Sequence, residues 1–238
     1  MTRSASPRGD LRRSPEHLRP SQPGALQPGA SRRPPRRTQE SRSKAARAKL
    51  LRATIELLQE RGYAGLTTKE VATRAGFSNG ALMHHFSTKA DLVIAAGAFI
   101  YQRHIEEGRK TANAAAARKD PLKAFIADCE NVYLGNSFVP TTEMMVAARS
   151  DPLMHAPFDV FMEDYRKTMN EIWLKAFMRA GYSEEQASFT IMSTLFIIRG
   201  MAINSIWQKN MPYYRSFLRE WAKIERAGAL KGARVPVR

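Results

Sequence analysis

The chain has 238 residues, room for one large domain or two modest ones, and its net charge of +16 points to a polyanionic partner, nucleic acid or an acidic membrane surface. The charge is uneven: residues 1–42 carry +7, residues 43–89 carry +5 and residues 90–238 only +4. A single cysteine, Cys129, excludes an internal disulfide or a thiolate metal site and suits a reducing cytoplasm.

Residues 1–42 hold ten arginines and seven prolines, with too little apolar surface to offset the entropy of ordering them, and read as a disordered tail. The prolines deny the amphipathic helix of a transit peptide, and no apolar run follows the arginine pairs, so the chain reads as cytoplasmic. The most apolar stretch, residues 187–207, is broken by Ser188, Thr190, Ser193, Thr194, Arg199 and Asn204 and does not read as a membrane span.

From residue 43 every strong signal is helical, and the fold class is all-α. A first helix over 43–61 has Leu51, Ile55 and Leu58 on one face and stops at Gly62. Thr67 and Glu70 form a capping box for a short helix with Val71, Ala72 and Ala75 inward, ended by Gly76. Ser78 caps a second short helix, stapled by Phe77 and Leu82, and Ser87 or Thr88 with Asp91 opens a fourth carrying Leu92, Ala96, Phe99 and Ile100. Longer helices start at Asp120-Pro121, over 141–148, at Asp151-Pro152 and at the Ser183/Gln186 box. A last one follows Pro212, with Tyr214, Phe217, Leu218 and Trp221 on one face, and residues 228–238 read as a flexible end.

Two short helices joined by Gly76-Phe77-Ser78 have the length and turn of a helix-turn-helix. Outward on the second stand Asn79, Gly80, Ala81, Met83, His84 and His85, small and polar groups suited to base edges in a major groove. The stretch Gly65-Leu66-Thr67-Thr68-Lys69-Glu70-Val71-Ala72, then Ala75-Gly76-Phe77-Ser78-Asn79-Gly80-Ala81-Leu82, then His85-Phe86-Ser87-Thr88-Lys89-Ala90-Asp91-Leu92 strongly resembles the DNA-binding segment of the tetracycline-repressor (TetR) family, over residues 47–95. The resemblance implies a two-fold homodimer on a double-stranded DNA operator, with a helix-turn-helix DNA-binding domain at 43–92 and a helical ligand-binding and dimerisation domain at 93–227. It places Lys69, Asn79, Gly80, Ala81, Met83 and His84 at bases or sugars and Thr67, Thr68, His85 and Lys89 at phosphates. The family often has Tyr where this chain has Met83. A thioether cannot donate that hydrogen bond, and Met83 is suited instead to a thymine methyl.

In the larger part, Phe125, Cys129, Val132, Tyr133, Met144, Met145, Phe158, Phe161, Met162, Tyr165 and Trp173 are plain core by periodicity, and lining of an effector cavity by the resemblance. Such a wall predicts a small apolar or aromatic effector that releases a repressor from its palindromic operator. Arg199, inside an apolar helix, must be paired or stand at a wet rim, where it meets an acidic ligand or a partner carboxylate. Helix 183–208 is apolar on two sides, with Ile191, Leu195 and Ile198 on one and Phe196, Ile203 and Trp207 on another, which predicts a four-helix dimer interface with the last helix. Adjacent His84 and His85 diverge by about 100° on a helix and make no chelate, and nothing in the sequence calls for a metal or a cofactor. No Ser/His/Asp order, HExxH or phosphate loop marks an enzyme. The rival reading is a sequence-neutral nucleic-acid-binding protein using the basic tail.

Overall fold

A computed structural model describes residues 38–228. They form ten helices, with no strand among the described residues. α1 (Gln39–Gly65) starts at the Thr38 cap, whose hydroxyl accepts from the Ser41 N–H at 3.2 Å, so residues 39–42 belong to the first helix rather than to the expected tail. Residues 1–37 and 229–238, where the two flexible ends were expected, otherwise lie outside the described residues. Gly62, the expected stop, is a kink instead: its backbone (φ 68°, ψ −178°) leaves the helical region and the helix resumes as far as Gly65.

α2 (Thr68–Ala75) and α3 (Asn79–His85) follow as expected, and α4 (Lys89–Asn113) runs on for 25 residues through the expected boundary at 92. Both halves of the Thr88/Asp91 box are made, whereas at Thr67 only one is: the Glu70 carboxylate takes the Thr67 hydroxyl instead of the backbone N–H. A five-residue α5 (Ala115–Lys119), with no side-chain cap, was not foreseen. Asp120 caps α6 (Pro121–Tyr133), α7 (Phe138–Ser150) starts three residues earlier than predicted, and Asp151 caps α8 (Pro152–Arg179). The complete Ser183/Gln186 box starts α9 (Glu184–Ser205), and α10 (Met211–Arg226) takes Pro212 into its first turn.

Two apolar cores hold these helices. The first joins Leu50, Leu58, Val71, Leu82, Phe86, Leu92 and Ile100 of the first four helices with Met144, Ala147, Ala148, Met154 and Phe158 of α7 and α8. Leu50, Leu58, Leu82, Leu92 and Met154 are wholly buried, and each such burial contributes roughly 1.5–3 kcal/mol. The second joins Leu122, Phe125, Cys129, Trp173, Phe177, Ile191, Ile198 and Leu218, on α6, α8, α9 and α10.

α9 is, among the described residues, the one helix long and apolar enough to cross a membrane by length and composition, against the expectation that its polar residues exclude it. Two of those residues, Thr190 and Thr194, are buried and satisfied: the Thr190 hydroxyl donates to Glu225 Oε1 (2.6 Å) and Thr194 Oγ1 accepts from Trp221 Nε1 (3.0 Å), while Arg199 and Asn204 are exposed. Its outer face exposes Phe196 (64%) and Ile203, beside exposed Trp207 (76%), with Phe217 and Ile224 on α10.

Because α7 and α8 complete the first core, a fragment ending at residue 113 lacks Met144, Ala147, Met154 and Phe158. Such a fragment is expected to show helical far-ultraviolet dichroism without a cooperative thermal transition. A sharp melt would show instead that the first four helices fold alone.

Candidate functional site

The α2–α3 pair is locked from behind. Val71 and Ala72 of α2, Leu82 of α3 and Phe86 after it are buried. At the turn the Phe77 N–H reaches the Ala72 carbonyl (2.8 Å) and the Gly76 N–H that of Thr73 (3.1 Å), a pattern that requires the left-handed φ of 78° at Gly76. Ser78 Oγ then accepts from the Ala81 N–H (3.1 Å) and starts α3. Two ion pairs fasten α2 to α1: Arg74 grips both oxygens of Glu60 (2.6 and 2.7 Å), and Arg61 pairs with Glu70. Arg74 holds the Glu60 carboxyl below its ordinary pKa, and the Thr67 hydroxyl, then Arg61, do the same for Glu70.

On the outer side of this frame Asn79, Gly80, Met83 and His84 are exposed, and Ala81 is half-buried. Lys69 is exposed on the neighbouring α2. The phosphate set fares unevenly. Thr68 and His85 are half-buried, while the Thr67 hydroxyl is engaged with Glu70 on both its donor and acceptor sides. Lys89 corrects the expectation: its Nζ donates to the Tyr63 carbonyl (2.6 Å) and stands 4.1 Å from the Tyr63 ring centroid, and burial lowers its pKa. An ammonium held there braces α4 against α1 rather than facing a phosphate. Arg47, not singled out from the sequence, lies 4.4 Å from the Phe86 ring and lines, with His85, Ser87, Asp91 and Pro157, an open cleft of about 320 Å³. Its signal was only its share of the charge of residues 43–89.

The expected effector wall is divided between the two cores. Met144, Phe158, Phe161 and Met162 pack with the first, and Phe125, Cys129, Tyr133 and Trp173 with the second. Met145 is 51% exposed, because one residue along α7 from buried Met144 turns the side chain out, and it is removed from the wall. Between the cores lies a seam of which the sequence reading named Val132, Phe161 and Tyr165 but not Tyr101 or His104. The Tyr101 ring of α4 lies tilted against Tyr165 (4.3 Å between centroids) and meets Phe161 (5.0 Å), with His104 5.9 Å away and Val132 buried on α6. The seam also holds polar groups. Asp128 is buried with its Oδ2 on Trp173 Nε1 (3.1 Å), His104 Nε2 meets Ser137 Oγ (3.1 Å), and His104 Nδ1 is buried without a partner. Arg199 reaches Tyr133 Oη through Nε (3.1 Å) and Nη2 (2.9 Å), with no carboxylate on it among the described residues. Burial raises the Cys129 thiol well above its ordinary pKa, which leaves it a core residue.

Residues 50–96 match the family described as bacterial regulatory proteins, tetR family. The chain is 29% identical over 158 residues to the HTH-type transcriptional regulator CymR of Pseudomonas putida, covering 66% of this chain and 78% of that one. It is 34% identical over 99 residues to an HTH-type transcriptional regulator of Mycobacterium tuberculosis, spanning 42% of this chain and about half (51%) of that relative. In three dimensions it is similar to a TetR transcription regulator from Haloarcula marismortui, with a TM-score of 0.59 and 20% identity over 76% of this chain and 96% of that one.

The buried pair in the seam titrates in opposite senses. Burial, and then the charge of Glu107, pushes the Asp128 carboxyl up to about 6 against the pull of the Trp173 hydrogen bond, so this group lowers stability as pH rises from about 4 to about 6. Burial takes His104 down to about 4, so it lowers stability as pH falls from about 6.5 to about 4. Asp128→Asn keeps an acceptor for Trp173 and removes the first effect. It is expected to raise stability at pH 7 by roughly 1–3 kcal/mol and to change nothing below pH 4, as read by urea unfolding across that range. A loss of stability at pH 7 would show that the ionised carboxylate has a compensating partner.

Proposed function

The chain belongs to the tetR family of bacterial regulatory proteins, and on that premise we propose that it is a transcriptional repressor whose two reading heads, related by a dimer axis, sit on one palindromic operator until an interior effector displaces them. The observation that carries the reading is the outer face of α3: Asn79, Gly80, Met83 and His84 stand together in solvent while Leu82 and Phe86 fix the helix from behind. A sequence-neutral coat needs only cations along a backbone. A short helix presenting an amide, a thioether and an imidazole carries base-edge chemistry instead. We read the protein as acting on DNA through binding and not as an enzyme.

The outer faces of α9 and α10 support the homodimer. Phe196, Ile203, Trp207, Phe217 and Ile224 are large apolar side chains gathered on two neighbouring helices, and a second copy covers them by a four-helix packing. Arg199, exposed on the same helix, argues against a bilayer on this face.

For the effector, the Tyr101–Phe161–Tyr165 seam takes an aromatic or apolar body. Arg199, at an exposed rim with its guanidinium on the Tyr133 hydroxyl, is open to an acidic group on the compound.

Two measurements test the reading. Asn79→Ala is expected to relax base preference at one position of each half-site by roughly 1–3 kcal/mol, seen as a flattened position in sequences selected from a random duplex library. Unaltered preference would place the reading register elsewhere. In thermal-shift assays aromatic acids are expected to stabilise the protein more than their amides, with Arg199→Gln abolishing the difference. Stabilisation by hydrophilic metabolites alone would overturn the effector class.

A further inference from the structure

Polar contacts from three other helices converge on one residue at the corner between α1 and α2. Gly62 turns the chain, and the next residue, Tyr63, is gripped at each of its polar groups. Its N–H donates to Glu143 Oε2 on α7 (2.9 Å). Its phenol donates to Oδ2 of Asp151, the cap of α8 (2.7 Å), whose Oδ1 accepts from the Leu153 N–H (3.0 Å). Its carbonyl accepts from Lys89 Nζ at the start of α4 (2.6 Å), and the same ammonium lies over its ring. The fit is close: a Cβ on Gly62 would stand 2.6 Å from Glu143 Oε2, in a backbone conformation that side chains other than glycine's rarely adopt. The Tyr63 hydrogen bond, then the Leu153 N–H, hold the Asp151 carboxyl below its ordinary range, and the phenol is raised first by burial and then by that bond. Both shifts are those of a made, charge-assisted bond.

These contacts join positions 80 and 88 residues apart, and they tie the reading head to the α7–α8 corner. A head carried by α4 alone has one attachment and can swing about it. A second attachment off that helix defines an orientation. Resting on the operator reading above, we propose that Tyr63, Glu143 and Asp151 are positioning residues for DNA binding, a clamp by which the α7–α8 corner sets the angle of each head and so the distance between the two α3 helices of a dimer. The corner is also tied to the interior. Met144, next to Glu143, stands so close to Gly97 of α4 that a Cβ there would lie 3.1 Å from its Sδ, and Phe161 follows Asp151 along α8 to the Tyr101 ring. A compound that parts α4 from α8 at the seam therefore moves both acceptors of the clamp.

The test uses the full-length dimer and three duplexes: the tightest palindrome selected from a random library, the same palindrome with one base pair added or removed at its dyad, and a single half-site. Wild type is expected to bind the selected spacing well above the altered ones. Tyr63→Phe and Glu143→Met are expected to shrink that spacing preference by about fivefold or more while changing half-site affinity less than about twofold, since the clamp couples heads and does not touch bases. Glu143→Gln, which keeps an acceptor for the Tyr63 N–H, is expected to restore the preference. A merely structural role would weaken half-site and palindrome alike, and that result, or an intact spacing preference in both variants, would overturn the clamp. Failure of wild type to select any palindrome would refute the operator reading itself, a distinct outcome.

Discussion

The packing of α7 and α8 side chains into the core of the reading head is the constraint on which the rest of this structure depends. Met144 and Met154 are almost wholly buried there, among Leu50, Leu58, Leu92 and Ile100. A three-helix head of this length buries little surface by itself, and completing its core with residues from a point some 50 positions later makes its stability a property of the larger fold. The α1–α2 corner, the start of α4 and the Asp151 cap then meet in one place. The polar contacts at Tyr63 lie at the edge of that packing, where burial strengthens each of them and water competes less.

What local chemistry decides was legible in the sequence. The caps at Ser78, Thr88, Asp120, Asp151 and Ser183 and the left-handed glycine at 76 each act within four residues, and the structure uses all of them. The outward set on α3 was legible for the same reason, since helical phase alone separates Leu82 from Met83. The failures are of two kinds. A phase error of one residue put Met145 into the wall beside Met144, on a helix whose start was placed three residues late. Partnerships across long sequence separations left no local trace. Lys89 with Tyr63, Tyr63 with Asp151 and Arg199 with Tyr133 are 26, 88 and 66 residues apart, and the resemblance that put Lys89 at a phosphate carries no trace of its contact with Tyr63.

The seam between the two cores runs against the economy of the rest. Asp128 and His104 are buried where apolar residues would pack at lower cost, and one nitrogen of His104 has no partner. Gly108 lies beside them, where a Cβ would come within 2.8 Å of Met169 Cε and 3.3 Å of Asp128 Oδ2, so the crowding is close even without a side chain. Local rules broken together, in one place, against a background of well-made caps and cores, are what the effector reading proposed above would require of its site.

The placement of the seam also gives direction to any change within it. On one side stands α9, whose inner face is joined to α10 by the Thr190–Glu225 and Thr194–Trp221 bonds and whose outer face is the proposed dimer contact. That side is fixed by two packings. On the other side stand α4 and α8, and both end at the head: α4 starts with Lys89 on the Tyr63 carbonyl, and α8 starts with Asp151 on the Tyr63 phenol. On the proposed effector reading, a separation at Tyr101 and Tyr165 would be felt along both α4 and α8 at one residue of the head, Tyr63.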